Sequence, residues 1–132
     1  MQTSGPYGGK VICLSAIISP SEGTKVFAAS DAGGIFSSTN YGSSWNKLSS
    51  VFTSASVSSL CPAGKHLIAG TIYKGIFIST DNGIKWKEVN NGIKGYEITS
   101  IACGSNAEKG INLYAGTYGK GIYLSTDYGE SW

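Results

Sequence analysis

Acidic side chains are the first candidates for chemistry in this sequence. Hydrolysis of a glycosidic bond needs two carboxyl groups at a set separation, one of them a proton donor. The acidic residues are Glu22, Asp31, Asp81, Glu88, Glu97, Glu108, Asp127 and Glu130. Three of them belong to a repeated turn, and Asp31 is the best remaining candidate. Since Ile72 and Tyr118 align with Asp31 in the later repeats, Asp31 has no matching acid within the chain, although a dimer would bring a second copy of it.

The other residues that could carry catalysis are few. The ten basic residues are all lysine, and His66, in the segment AGKHLIAG, is the single histidine. We interpret His66 as a solvated side chain in a turn, and motifs for a serine hydrolase, a metalloprotease or a phosphate loop are absent from the sequence. The formal net charge of +2 is too balanced to favour nucleic acid or a membrane surface as partner. We predict no cofactor.

The architecture follows from an octapeptide that recurs three times. It reads STNYGSSW at residues 38–45, STDNGIKW at 79–86 and STDYGESW at 125–132, so its tryptophans are 41 and 46 residues apart. Each repeat predicts four short strands: an apolar strand A, strand B (VFAAS, LIAGT or LYAGT), strand C (GIFSS, GIFIS or GIYLS) and strand D from the tryptophan. Four strands in a period in the low forties are typical of a β-propeller blade.

The octapeptide itself is predicted to be a structural turn between strands C and D. Its aspartate can accept backbone N–H groups, its glycine supplies a positive φ, and its tryptophan buries a large ring. Asn40 replaces the aspartate in the first copy and keeps the acceptor oxygen. One carboxylate before the glycine is too few for calcium, so we predict no metal site. The structural residues are Ser38, Asn40, Gly42, Trp45, Ser79, Asp81, Gly83, Trp86, Ser125, Asp127, Gly129 and Trp132.

The three octapeptides resemble Asp-box repeats, also called BNR repeats, which occur in sialidases, sortilin-type receptors, photosystem assembly factors and secreted glycoside hydrolases. The opening SGPYGGKV, residues 4–11, is similar to the start of a blade in bacterial propellers of this kind. The resemblance implies an all-β propeller in which the box is a peripheral fold element rather than an active site. Sialidases of this family hold the substrate carboxylate with arginines. This chain has none, so sialidase activity is not expected.

We therefore predict one partial propeller over residues 1–132, with blade 1 at about 9–52, blade 2 at about 55–93 and blade 3, lacking its outer strand, at about 96–132. In propellers the B–C turns share one face with the D–A connections. Here the turns are residues 30–34, 71–75 and 117–121, and the connections are SSVFTSAS and NNGIKGYE. Exposed tyrosines there could stack on sugar rings or anchor a protein. The ligand-binding candidates are Asp31, Tyr73, Lys74, Tyr96, Tyr118 and Lys120.

Three blades do not close a ring, because closed propellers have about four to eight. The end faces would expose apolar strand residues, for which we name Ile35, Phe36, Ile76, Phe77, Ile122 and Tyr123. Either the chain is a fragment of a longer propeller, or two copies form a homodimer that closes six blades about a two-fold axis. A fragment could also dimerise, so the two explanations are compatible.

The expected function is that of a non-catalytic interaction module that self-associates and presents its loops to a protein or a glycan. The alternative is a fragment of an Asp-box glycoside hydrolase. The three cysteines, Cys13, Cys61 and Cys103, are odd in number, so we interpret them as small buried side chains rather than as a disulfide or metal site. The family resemblance implies a secreted or periplasmic protein, although the chain shows no signal peptide and its unpaired cysteines argue mildly against export.

Overall fold

The structure of the chain is a computed structural model, and it describes residues 5–6, 9–32, 34–49, 52, 54–108 and 110–132. These residues form eleven strands in three antiparallel sheets and contain no helix. We call the sheets blades 1 to 3. Blade 1 holds β1 (Val11–Ser19), β2 (Gly23–Ser30), β3 (Ile35–Ser38) and β4 (Asn46–Ser49), and blade 2 holds β5 (Val57–Ala63), β6 (His66–Thr71), β7 (Gly75–Ser79) and β8 (Lys87–Glu88). Blade 3 holds β9 (Ile98–Ser105), β10 (Ile111–Thr117) and β11 (Gly121–Ser125).

Within each blade, neighbours along the chain are neighbours in the sheet, as the four-strand repeat predicts. Strand D differs in one detail. It begins at Asn46 and Lys87, one residue after the tryptophan, and not at the tryptophan itself. In blade 2 the Trp86 indole donates a hydrogen bond back into the turn, to the Gly83 carbonyl at 3.0 Å, and so closes the turn before the strand starts.

The octapeptide forms the self-capped turn that its residue types predict. In blade 2 the Ser79 hydroxyl donates to Asp81 Oδ1 at 2.8 Å and accepts the Gly83 N–H at 2.8 Å. Asp81 Oδ1 also accepts the N–H of Lys85 at 2.8 Å. Asp127 repeats this pattern in blade 3, and Asn40 does so in blade 1 through its amide oxygen.

These hydrogen bonds settle the protonation state of the turn carboxylates. The Ser131 hydroxyl and N–H, with Ser125, lower the pKa of Asp127 to about 2. The backbone N–H of Lys85 is the largest of the causes that lower the pKa of Asp81. Both groups are thus held as ionised acceptors, which a general acid cannot be at neutral pH.

The turn glycine also makes room for the preceding blade. Gly83 has a φ of +92°, and a Cβ placed there would lie 2.9 Å from Leu48 Cδ1 of blade 1. Gly129 stands in the same relation to Val89 of blade 2, with 2.8 Å from a Cβ to the Val89 Cγ2. The glycine therefore serves both the turn and the packing between blades.

Replacing Gly83 with alanine should lower the free energy of unfolding by about 2–3 kcal/mol, because left-handed strain and overpacking against Leu48 add. Gly64→Ala is the matched control: φ is +61° and no atom lies within 4 Å of its Cβ position. It should cost only the strain, about 1–2 kcal/mol. Urea unfolding of both variants measures the difference, and equal losses would show that Leu48 does not constrain the glycine.

Two apolar clusters join the blades. Phe27, Ala29 and Ile35 of blade 1 pack against blade 2, and residues such as Ile68 and Ile76 of blade 2 pack against blade 3. The prediction that Ile35 and Ile76 lie on open end faces is therefore wrong: both are fully buried between blades, since each strand alternates sides. Phe77 and Tyr123 are also half-buried against these clusters. Ile122 is open as predicted, at 78 % exposure, and Leu14 and Ile18 of blade 1 and Tyr114 and Leu124 of blade 3 are open as well.

The interpretation of the cysteines is also corrected. Cys61 of β5 and Cys103 of β9 form a disulfide between blades 2 and 3, with their Cα atoms 6.2 Å apart. Only Cys13 has a free thiol among the residues described, and burial raises its pKa to about 11. Across the same residues, no helical segment is long and apolar enough to cross a membrane.

Candidate functional site

The candidate site is one edge of the blades, where the B–C turns meet the connections from the preceding blade. One backbone hydrogen bond joins the two at every blade: Asp31 N to Lys10 O at 2.9 Å, Ile72 N to Ser56 O at 3.1 Å and Tyr118 N to Glu97 O at 3.0 Å. We call this edge the loop face. It consists of the described parts of residues 30–34, 71–75 and 117–121 and of the connections 50–56 and 91–97.

Asp31 lies in the first turn of the loop face and is exposed. Its carboxylate accepts the backbone N–H of Lys10 at 2.8 Å, and its own N–H donates to the Lys10 carbonyl. Asp31 thus holds the entry of β1 against the turn. Since a turn function accounts for its contacts, its position does not by itself indicate catalysis.

The second turn carries the clearest features for binding. Tyr73 is 75 % exposed, and it lines a cleft of about 240 Å³ together with Lys74, Glu88, Asn90, Lys94 and Gly95. The Lys74 ammonium donates to Ser54 Oγ at 2.8 Å, which ties the turn to the preceding connection. The cleft therefore combines an aromatic ring with two lysines and one carboxylate.

Asn90 supports this cleft from below and was not among the sequence candidates. It is nearly buried; its Oδ1 accepts the Ile76 N–H at 2.6 Å, and its Nδ2 donates to Lys74 O at 3.0 Å and Glu88 Oε1 at 2.8 Å. Asparagine after strand D looks like a common turn residue, so the sequence carried no signal for this role. The side chain replaces the ladder bonds that the two-residue strand β8 leaves unmade.

The third turn has the same frame as the second. Thr71 Oγ1 donates to Gly75 O at 2.7 Å, and Thr117 Oγ1 donates to Gly121 O at 2.7 Å. Lys74 and Lys120 consequently occupy equivalent positions in neighbouring blades. Tyr118, at 75 % exposure, presents a second open ring next to Lys120, which is also exposed.

Tyr96 differs from the expectation of an exposed side chain. It is half-buried, with its ring 5.5 Å from that of Tyr123 on β11. Hydrogen bonding to Tyr96 is the largest cause that raises the pKa of Tyr123. Tyr96 therefore anchors the 91–97 connection to blade 3, and the structure does not bring it together with Tyr73 or Tyr118 as an open binding group.

His66 lies away from the loop face, at the opposite edge. It is the first residue of β6, is half-buried rather than solvated, and its ring centroid is 5.0 Å from that of Tyr128. A cleft of about 570 Å³ there is lined by Lys65, His66 and Tyr128 with no carboxylate. In the described part of the chain, no three histidine, cysteine or acidic side chains group as metal ligands.

The comparisons with known proteins bear on the fold. No family model matches the chain, and no curated protein matches it. Among solved structures, an ancestral GH74 enzyme has a TM-score of 0.69 at 23 % identity, matching 93 % of this chain and 18 % of its own. A GH74 enzyme of Niastella koreensis has a TM-score of 0.71 at 22 % identity, with coverage of 92 % and 22 %. The chain folds as β-propeller blades.

A third neighbour is the GH74 xyloglucanase of Xanthomonas campestris, with a TM-score of 0.61 at 19 % identity over 82 % of this chain and 21 % of that enzyme. The chain spans about a fifth of the length of these propeller enzymes. The blade arrangement predicted from the octapeptide is thus confirmed at the level of the fold. Similarity of this degree does not extend to the activity.

Proposed function

We propose that the chain is a non-catalytic propeller module that joins further blades and presents its loop face to a carbohydrate. The observation that carries this proposal is the pair of open tyrosines, Tyr73 and Tyr118, on equivalent turns of neighbouring blades, each in a turn that also carries an exposed lysine. Flat aromatic rings provide apolar platforms for sugar rings, and lysine ammonium groups donate to hydroxyls. The resemblance of the octapeptides to Asp-box repeats supports the Asp-box type for these blades.

The alternative is that these blades are part of an Asp-box glycoside hydrolase. The similarity to GH74 enzymes, one of them a xyloglucanase, favours it. In that case the second catalytic carboxylate comes from blades outside these residues, because Asp81 and Asp127 are held as turn acceptors and Asp31 has no equivalent. The loop face then contributes substrate binding rather than the acid–base pair.

Self-association is the second element of the proposal. Both end faces carry open apolar side chains, and a homodimer in which blade 3 of one copy meets blade 1 of the other would close six blades about a two-fold axis. The disulfide between blades 2 and 3 supports an oxidising compartment, hence a secreted or periplasmic protein.

Xyloglucan-derived oligosaccharides are the probe for the loop face. Calorimetric titration should detect binding to the parent chain, and the triple variant Y73A/Y118A/K120A should bind at least about tenfold more weakly, as expected for the loss of central contact residues. Tyr41→Asn is the matched control, since Tyr41 is 80 % exposed but lies in an octapeptide, where blade 2 has asparagine.

Two results would contradict parts of the proposal. If the parent chain binds none of these oligosaccharides, or the triple variant binds them as well as Tyr41→Asn does, the loop face is not the glycan site. If reducing ends accumulate with the parent chain, it is an enzyme whose carboxyl pair lies within these residues, and the non-catalytic proposal is wrong.

A further inference from the structure

The open face of blade 1 contains an apolar cleft of about 450 Å³. It is lined by Gly5, Pro6, Val11, Leu14, Val26, Tyr41, Gly42 and Trp45. Gly42 and Trp45 are the glycine and tryptophan of the first octapeptide. The same positions exist in blades 2 and 3, so the chain itself shows what this kind of cleft holds when it is filled.

In blades 2 and 3 the glycine faces an aliphatic side chain of the preceding blade. Leu48 Cδ1 would lie 2.9 Å from a Cβ on Gly83, and Val89 Cγ2 would lie 2.8 Å from a Cβ on Gly129. Leu48 and Val89 have one property in common: each is the third residue after an octapeptide tryptophan. The group that fills the cleft is therefore an aliphatic side chain that follows the tryptophan of the preceding blade.

The tryptophan of the cleft supplies a second observation. In blade 3 the Trp132 indole N–H donates to the carbonyl of Val89, the same residue that contacts Gly129, at 2.8 Å. In blade 2 the Trp86 indole N–H donates instead within its own turn, to the Gly83 carbonyl at 3.0 Å. In blade 1 the Trp45 Nε1 is buried and has no hydrogen-bond partner among the residues described. A buried donor without an acceptor costs free energy, so the site is complete only when a carbonyl reaches it.

From this pairing we infer that the cleft binds the outer strand of a further propeller blade, one that is not among blades 1 to 3. The aliphatic side chain three positions after that blade's octapeptide tryptophan enters beside Gly42, and the carbonyl of the same residue accepts the Trp45 indole N–H. The inference rests on the proposal that the module joins further blades, and it specifies that contact. Leu48 and Val89 already serve blades 2 and 3, so the occupying strand is not one of the strands β1 to β11.

The test supplies the chain with an outer strand that the cleft could bind. A version extended after Trp132 by a copy of residues 87–93, KEVNNGI, carries a valine at the third added position. Sedimentation velocity over a concentration series should show that the extended chain associates at least about tenfold more tightly than the parent of 13.7 kDa. Replacing the added valine with aspartate should return association to the level of the parent.

A second variant tests the hydrogen bond. Trp45→Phe in the extended chain removes the indole N–H and should weaken association about fivefold, the equivalent of one neutral hydrogen bond. Trp45→Phe in the parent chain breaks no hydrogen bond, so the urea midpoint of this variant should match that of the parent. An unchanged midpoint shows that weaker association of the extended variant is not caused by loss of folding. Equal association of the valine and aspartate versions would overturn the inference.

The outcomes also separate this inference from the proposed function. If the parent stays monomeric while the extended chain associates, the result supports the inference that the cleft binds an outer strand. It also contradicts the proposal that two copies of the parent form a closed homodimer. An absence of oligosaccharide binding would reject the loop-face proposal and leave the sedimentation result as it stands.

Discussion

Removing the Cys61–Cys103 disulfide should lower the free energy of unfolding by about 4 kcal/mol, the chain-entropy value for a loop of this length. The two cysteines are 42 residues apart and belong to β5 and β9, so the bond closes a loop that contains most of blade 2. The double variant C61A/C103A should therefore show a much lower urea midpoint than the parent. Dithiothreitol should lower the urea midpoint of the parent to that of the double variant.

Cys13→Ala provides the control for this experiment. Its thiol is free, faces the interface between blades 1 and 2 and makes no cross-link, so the variant should keep its full sensitivity to dithiothreitol. A parent whose urea midpoint is the same with and without the reductant would show that the bond does not contribute to stability.

The disulfide shows how far sequence reasoning extends in this chain. The number of cysteines suggested no pair, and the two residues do not occupy equivalent positions of the repeat. The signal was the alternation of the strands: Leu60 faces blade 1, so Cys61 faces blade 3, while Cys103 lies on the side of β9 that faces blade 2. Recognising it requires knowing that β5 and β9 are neighbours, which only the assembled blades provide.

The octapeptide was predictable for the opposite reason. Its hydrogen bonds join residues two to four apart, so residue types and spacing determine them without reference to the rest of the fold. Asn40 confirms this, because its amide oxygen makes the same bond to the Ser44 N–H that Asp127 makes to the N–H of Ser131, 2.9 Å in both cases.

The loop face falls between these two cases. The turns 71–75 and 117–121 repeat a local frame. Tyr73 and Tyr118 occupy different positions of it, and their exposure was predictable only from their place in a turn. The two connections match only in one apolar position, Phe52 and Ile93, so the sequence does not distinguish an exposed side chain elsewhere in them from a buried one. The packing of Tyr96 on Tyr123 was therefore not predicted, and neither was the burial of Phe52, whose contacts are more extensive.

Phe52 lies in the connection between blades 1 and 2 and is fully buried. Its ring meets those of Phe77 at 5.2 Å and Trp86 at 5.0 Å, both edge to face. Ile93, 41 residues later, is buried in the cluster that includes Tyr123 and Trp132. The third residue of each connection is thus a wedge between consecutive blades.

Phe52→Ala should lower the free energy of unfolding by about 3–5 kcal/mol, because it removes a large ring from a filled interior. Phe52→Leu should lose clearly less, since an aliphatic side chain occupies the corresponding place at Ile93. Urea unfolding of both variants provides the measurement, and a loss below about 1 kcal/mol for alanine, the level of an ordinary substitution, would contradict the wedge. The connection also carries Ser54, the acceptor for Lys74, so the alanine variant should bind loop-face ligands more weakly even where it remains folded.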